Sequence, residues 1–245
     1  MYLSRLIDLI GHRSNKPYPY MKKLLLLVGL VCLTHITLYA QDKAPFWQDV
    51  QTIKSYDQMY KPPLHPILFV GSSSIRKWDN LQLDFGKYNV LNRGVGGTVI
   101  NDIIFYLNDL VFAYQPRQIV LYVGENDVVN EANTADTILN RTIRLYTLIR
   151  LKMPKVPLVY IAIKPSPSRE KFVRKVIDAN NKIKAYLAKK KNTAFVDVFP
   201  LMLNKDGKMR PELFVGDMLH MKPEGYAIWK KAVEPFLLKP DKDNK

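Results

Sequence analysis

Five short apolar runs, each followed by a polar or helix-patterned stretch, constrain this chain more than any other feature. They cover residues 66–70, 88–91, 118–123, 157–163 and 194–198. A strand with one wet face alternates apolar and polar residues. These runs are close to continuously apolar, which suits strands covered on both faces in a parallel sheet. Helical patterns fill the gaps, at about 99–113, 134–151, 168–190 and 223–236. In 134–151, Ile138, Thr142, Leu145, Leu148 and Ile149 fall at helix spacing, on one face of the turn. Asn133 or Thr134 is placed to cap that helix. A further helix at 45–60 is expected to pack at the sheet edge. This alternation predicts an α/β fold: a three-layer α/β/α sandwich on a flavodoxin-like parallel sheet of about five strands. No internal repeat or low-complexity linker interrupts it. One domain over 41–238 is expected, long enough to bury a sizeable core, with a charged tail at 239–245.

Residues 1–40 follow a different pattern. Met21-Lys22-Lys23 makes a short basic start. Residues 24–39 are apolar apart from Thr34, His35 and Thr37, and Ala40 precedes Gln41 at a small-residue cleavage position. That order describes a secretory signal starting at Met21, with residues 1–20 an upstream extension. A periplasmic or secreted location is therefore expected. The alternative is an uncleaved anchor, although the run is shorter than the roughly 20 residues a spanning helix needs. Val31 before Cys32 does not fit a lipoprotein signal.

The same boundary limits the chemistry. Cys32, the single cysteine, lies before it, so the remaining chain has no disulfide, thiol nucleophile or thiolate metal site. His12 and His35 lie there too. His65 and His220 remain, too few for a histidine-rich metal cluster, and neither metal nor cofactor is expected. The formal charge is +15, of which the first forty residues hold +4 from five cations and one anion. Such an excess can favour anionic lipid, acidic polysaccharide or nucleic acid, but it reads first as a solvated basic surface. No nucleic-acid motif accompanies it, so no nucleic acid is expected, and peripheral membrane association stays open. Lys182, Lys184, Lys189, Lys190 and Lys191 gather toward one helix end, where cations complement the dipole.

The polar residues of most interest follow the apolar runs. Gly71-Ser72-Ser73-Ser74 follows the first, Asn92-Arg93-Gly94-Val95-Gly96-Gly97 the second, and Gly124-Glu125-Asn126-Asp127 the third. In an open parallel sheet, ligands bind beyond the carboxyl ends of the strands, so three distant segments reach one rim. Asp217-Met218-Leu219-His220 precedes the last helix and can reach it from a loop. A carboxylate three residues before a histidine can hold one ring nitrogen and leave the other free as a base. A serine needs such a base to become a nucleophile. Each segment alone reads as an ordinary turn or cap. Together they supply a nucleophile, a base, an orienting acid and oxyanion donors, the parts of an acyl-transfer site. Ser72, Ser73 and Ser74 compete for the nucleophile role on residue type alone. Arg76 and Trp78 suit packing or substrate contact, and Asp127 suits bracing of the Asn126 loop. His65, before Pro66, belongs to the other end of the sheet.

The order and spacing of these blocks resemble the SGNH, or GDSL-like, hydrolase family over about residues 65–235. The resemblance places Ser73 at the nucleophile position, with Ser72 where the family usually has aspartate and Ser74 where it has an aliphatic residue. It makes Asp217 and His220 the remaining catalytic residues. It makes Gly97 and Asn126, with the Ser73 backbone, the oxyanion donors, and Glu125 replaces the commoner threonine. What it implies is a serine esterase acting through an acyl-enzyme on Ser73, with acetylated glycans or small lipid esters as substrates. No large lid insertion separates the blocks, which favours short acyl groups.

Other functions compete. A dinucleotide site would need a third glycine where Val99 follows Gly94-x-Gly96, so that reading is weak. An O-acyltransferase would use the same residues and deliver the acyl group to a sugar. A catalytically silent glycan- or lipid-binding domain would not need the intact serine, asparagine, aspartate and histidine. Oligomeric state is not legible.

Overall fold

The computed structural model describes residues 43–239. The expected presequence at 1–40, and the expected tail apart from Lys239, lie outside the described residues. The sheet contains β1 (Ile67–Gly71), β2 (Val90–Gly94), β3 (Gln118–Tyr122), β4 (Leu158–Ile161) and β5 (Thr193–Val196). Their order is β2-β1-β3-β4-β5, and every neighbouring pair is parallel. The helices are α1 (Trp47–Met59), α2 (Ser73–Arg76), α3 (Leu81–Asp84), α4 (Ile100–Phe105), α5 (Leu107–Leu110), α6 (Ala135–Lys152), α7 (Val173–Leu187) and α8 (Pro223–Val233). This is the expected three-layer α/β/α arrangement.

All five residues of β1 and of β3 are buried, which explains their apolar character; the exception, Gln118 at the start of β3, has its amide satisfied by the Phe236 carbonyl and the Leu238 amide. Ile67, Phe69, Val120 and Tyr122 point into one core layer with Trp78, Tyr226 and Trp229. Trp78 anchors that layer, its ring centroid 5.9 Å from Phe69, 5.1 Å from Tyr226 and 6.0 Å from Trp229. Its indole N–H donates to Asp84 at 2.8 Å, so this residue packs. Helices α4, α6 and α7 pack together in another layer. Thr134 caps α6, its hydroxyl accepting from the Thr137 amide at 3.2 Å.

Three boundaries differ from expectation. The second strand runs over Val90–Gly94, not 88–91. Tyr88 belongs to a 3-10 turn, Gly86–Tyr88, and Asn89 adopts φ 52° before the strand. Polar Asn92 and Arg93 lie inside β2 because it is the edge strand, and both are half-buried. The expected helix at 99–113 divides into α4, α5 and a 3-10 turn, Phe112–Tyr114, with no proline or glycine to mark the breaks. The expected helix at 168–190 starts as a 3-10 segment, Pro167–Phe172, in which Arg169 leaves helical geometry. As expected, α1 lies beside the edge strand: Asp57 pairs with Arg93 of β2 and accepts from Tyr114 Oη at 2.5 Å.

Gly71 at the end of β1 is in register with Gly94 of β2 and Tyr122 of β3. The three carboxyl ends therefore finish level. The strand order reverses between β1 and β3, so a crevice opens at that point of the rim.

Candidate active site

The serine turn follows β1 directly. Ser72 is extended and precedes α2, and Ser73 is the first helical residue. Two contacts hold this turn against β2. Asn92 Nδ2 donates to the Ile75 carbonyl at 2.7 Å, while Asn92 Oδ1 accepts from the Gly94 amide at 2.9 Å. Gly94 allows the approach: a β-carbon there would lie 2.2 Å from the Arg76 backbone nitrogen. From the other side, Tyr226 Oη of α8 donates to the Ser74 carbonyl at 3.0 Å.

His220 Nε2 lies 3.0 Å from Ser73 Oγ, and His220 Nδ1 lies 2.5 Å from Asp217 Oδ2. The loop carrying both residues is closed by a bridge between Phe214 and Met221 and by the Val215 amide donating to the His220 carbonyl at 2.8 Å. Inside it, Asp217 Oδ1 accepts from the Leu219 and His220 amides, each at 2.9 Å. One carboxylate thus shapes the turn with one oxygen and orients the ring with the other. Burial pushes the Asp217 carboxyl up. The His220 amide and ring and the Leu219 amide outweigh that and hold it well below the ordinary carboxylate range. Among the described residues, the buried Ser72 and Ser74 hydroxyls have no partner at hydrogen-bond geometry, and neither bonds His220. Of the three serines, Ser73 is the one whose hydroxyl lies within hydrogen-bond distance of His220.

The second and third rim segments meet beside this pair. Asn126 Nδ2 donates to the Thr98 carbonyl at 3.0 Å, which fixes the amide next to Gly97 and leaves it a second hydrogen. Gly97 adopts φ 85°, a conformation glycine supplies without steric cost. Among the described residues, neither the Ser73 nor the Gly97 amide has a protein acceptor. Asp127 braces the loop as expected. Its Oδ2 accepts from the Ile100 amide at 3.0 Å, and its Oδ1 pairs with Arg141 at 2.7 Å. Burial raises the Asp127 carboxyl above its ordinary value, opposed by Arg141 and the Ile100 amide. Ser73, His220, Asp217, Gly97 and Asn126 are thus gathered at one rim, in an arrangement able to transfer a proton from serine and to receive an oxyanion.

The model of the GDSL-like Lipase/Acylhydrolase family matches residues 70–228. The chain belongs to this family. It is a carboxylic ester hydrolase. Solved structures share the hydrolase's fold. A GDSL-like lipase from Bacteroides thetaiotaomicron aligns with TM-score 0.65 and 21% identity, covering 77% of this chain and 96% of that one. A catalytic mutant of an acetylxylan esterase from Geobacillus stearothermophilus aligns with TM-score 0.58 and 14% identity, covering 71% and 94%. A member of the lipolytic G-D-S-L family from Veillonella parvula gives 0.57 and 18%, covering 69% and 96%. No curated protein sequence matches significantly.

The hydrolase also carries a buried polar cluster that sequence reasoning missed. Lys164 Nζ contacts both Glu125 carboxylate oxygens at 2.6 Å and Ser166 Oγ at 2.8 Å. Ser166 Oγ donates to Glu125 Oε1 at 2.5 Å, and Tyr122 Oη to Oε2 at 2.9 Å. The Lys164 and Glu125 side chains are 0% and 4% exposed. Burial pulls the Lys164 ammonium below its ordinary value, against the pull of Glu125. The cluster joins the Asn126 loop to the segment after β4. That segment bonds the Asp217–His220 loop through the Ser168 amide, which donates to the Met218 carbonyl at 3.0 Å. A lysine directly after an apolar strand, before Pro-Ser-Pro, was the available signal. His65 is exposed, its Nδ1 3.0 Å from the Gln115 carbonyl, away from the site as expected. Arg76 is exposed and lies across Gly96, where an added β-carbon would meet its guanidinium at 2.6 Å. Among the described residues, no three His, Cys, Asp or Glu side chains are gathered to hold a metal ion.

Proposed function

We propose that this hydrolase is a serine esterase that removes short acyl groups from acetylated glycans or small lipid esters through an acyl-enzyme on Ser73. The observation that carries the reading is the unbroken line from Asp217 Oδ2 through the His220 ring to Ser73 Oγ, at 2.5 and 3.0 Å.

In the first half-reaction, His220 Nε2 takes the Ser73 proton as Oγ attacks the ester carbonyl. The oxyanion accepts hydrogen bonds from the Ser73 and Gly97 amides and from the second Asn126 amide hydrogen. Collapse breaks the carbon–oxygen bond to the alcohol, which leaves with the proton from His220. In the second half, water gives its proton to His220, attacks the acyl carbon, and Ser73 departs carrying that proton. Asp217 remains ionised throughout and stabilises the imidazolium. Oxyanion donors of this kind contribute about 3–4 kcal/mol each where tested.

An acetylxylan esterase on the same fold is a precedent for an acetylated glycan as substrate. The basic and apolar order of residues 21–40 supports action outside the cytoplasm. Mass spectrometry of exported protein starting near Gln41 is the check on that. The central test is a fluorophosphonate probe followed by peptide mapping, beside a series of nitrophenyl esters and acetylated oligosaccharides. Label on Ser73 and turnover fastest with acetyl esters are expected. A folded protein that takes no label at Ser73 contradicts the reading, and acyl transfer to a sugar in preference to water would make it an O-acyltransferase.

A further inference from the structure

One side chain near the site is used by neither the proton relay nor the oxyanion donors. Phe46 adopts φ 63° and ψ 10°, a left-handed conformation that a bulky residue enters only at a cost. Strain of this type persists where its surroundings impose it, and it gathers at functional sites. Here it is imposed from both sides. Tyr106 Oη donates to the Pro45 carbonyl at 2.8 Å, and the Val50 amide of α1 donates to the Phe46 carbonyl at 3.1 Å. Asp57 then fastens α1 to Arg93 and Tyr114. The outcome aims the Phe46 ring at Gly97: a β-carbon on that glycine would lie 3.4 Å from Cε1 and 3.8 Å from Cζ.

We propose that Phe46 forms the wall of the acyl pocket and confines the enzyme to acyl groups near acetyl in size. The inference rests on the esterase reading above. In the tetrahedral adduct, the reacting carbon carries Ser73 Oγ, the oxyanion, the alcohol oxygen and the acyl substituent. The alcohol oxygen must face His220 Nε2, its proton source. The oxyanion faces the Ser73 and Gly97 amides and Asn126. The ring lies where a Gly97 side chain would project, off the direction of that residue's amide, so the group it is placed to meet is the acyl substituent and not the oxyanion. A methyl group is accommodated there, and a longer chain runs into the ring.

The test compares the full chain with Phe46→Gly and Phe46→Trp. Glycine accepts the left-handed conformation freely, so the first variant removes the ring without adding backbone strain. The second enlarges the ring and keeps a folded comparison in hand. kcat/KM is measured for nitrophenyl acetate, butyrate and hexanoate, and for acetates of several alcohols. One methylene in an apolar pocket alters selectivity by about tenfold or more. The hexanoate-to-acetate ratio should therefore rise at least about tenfold in Phe46→Gly and fall in Phe46→Trp. Ratios unchanged in both variants overturn the assignment. So does a change confined to the alcohol series, which would put the ring on the leaving-group side. Fluorophosphonate labelling of the unsubstituted chain separates the two levels: with label and unchanged ratios the Phe46 assignment alone fails, and without label the esterase reading fails first.

Discussion

Replacing Asp217 by asparagine separates the two tasks that its carboxylate performs. Oδ1 accepts from the Leu219 and His220 amides, and Oδ2 faces His220 Nδ1. An asparagine oxygen can keep both amide bonds, so the turn should survive. Its NH₂ cannot accept a proton from Nδ1 and instead donates to it. The ring then carries its proton on Nε2, which points at Ser73 Oγ as a donor and no longer as a base. In a serine–histidine–aspartate relay this tautomer error lowers kcat by on the order of 10⁴, about 5.5 kcal/mol of transition-state stabilisation. Stability should change little. Asp217→Ala should lose activity and also the two amide bonds, each worth about 0.5–1.5 kcal/mol and less where the carboxylate is partly solvated. The assay is kcat on nitrophenyl acetate with a thermal melt of each variant. An Asp217→Asn enzyme within about tenfold of the parent would refute the tautomer argument. Equal melting losses in the asparagine and alanine variants would refute the division of labour between the oxygens.

The other expectations concern donors, burial and pH. Asn126→Ala should lower kcat by about a hundredfold or more with little change in KM, since Ser73 and Gly97 still supply two donors. Normal kcat with weakened binding would reassign Asn126 to substrate positioning. Lys164→Met leaves the Glu125 carboxylate buried and should cost about 3–5 kcal/mol in urea unfolding, most of it recovered in the Glu125→Gln, Lys164→Met double variant; no recovery would contradict a desolvation origin. Asp217 has a folded-state pKa below the ordinary carboxylate value. Its contribution to stability is therefore complete above the unfolded value of about 3.9 and is lost as pH falls through the folded one. The parent should accordingly be more stable than Asp217→Asn above about pH 5, and the gap should close only as pH falls well below the unfolded value, through the depressed folded one; a gap that does not change with pH would count against the ion pair.

Strands β1, β3 and β4 were legible because burial on both faces leaves little room for polar residues. The edge strand β2 was misplaced for the same physical reason, since an edge tolerates Asn92 and Arg93, whose polarity obscured its second half. The Asp217–His220 pairing was legible because histidine is scarce after residue 40 and Asp217 lies three residues from His220. The choice among three adjacent serines needed either the resemblance or the coordinates, because a turn decides which hydroxyl faces the base. Contacts between distant segments left no signal of their partners, even where one member, such as Lys164 after its apolar strand, stood out by itself. Asn92 on Ile75, Lys164 on Glu125 and Phe46 on Gly97 depend on how the layers pack, and no periodicity announces them.

The Glu125–Lys164 pair also constrains how this sequence can change. The two residues are 39 positions apart, yet neither can drift alone. Neutralising Glu125 first strands an ammonium in a dry interior; neutralising Lys164 first strands a carboxylate with two hydroxyls for company. A lineage moving between the family's usual threonine and glutamate at 125 must alter 164 within a few steps, or cross a poorly folding intermediate. The pair should therefore be inherited as a unit, and a glutamate grafted beside the asparagine of another member will need its lysine as well.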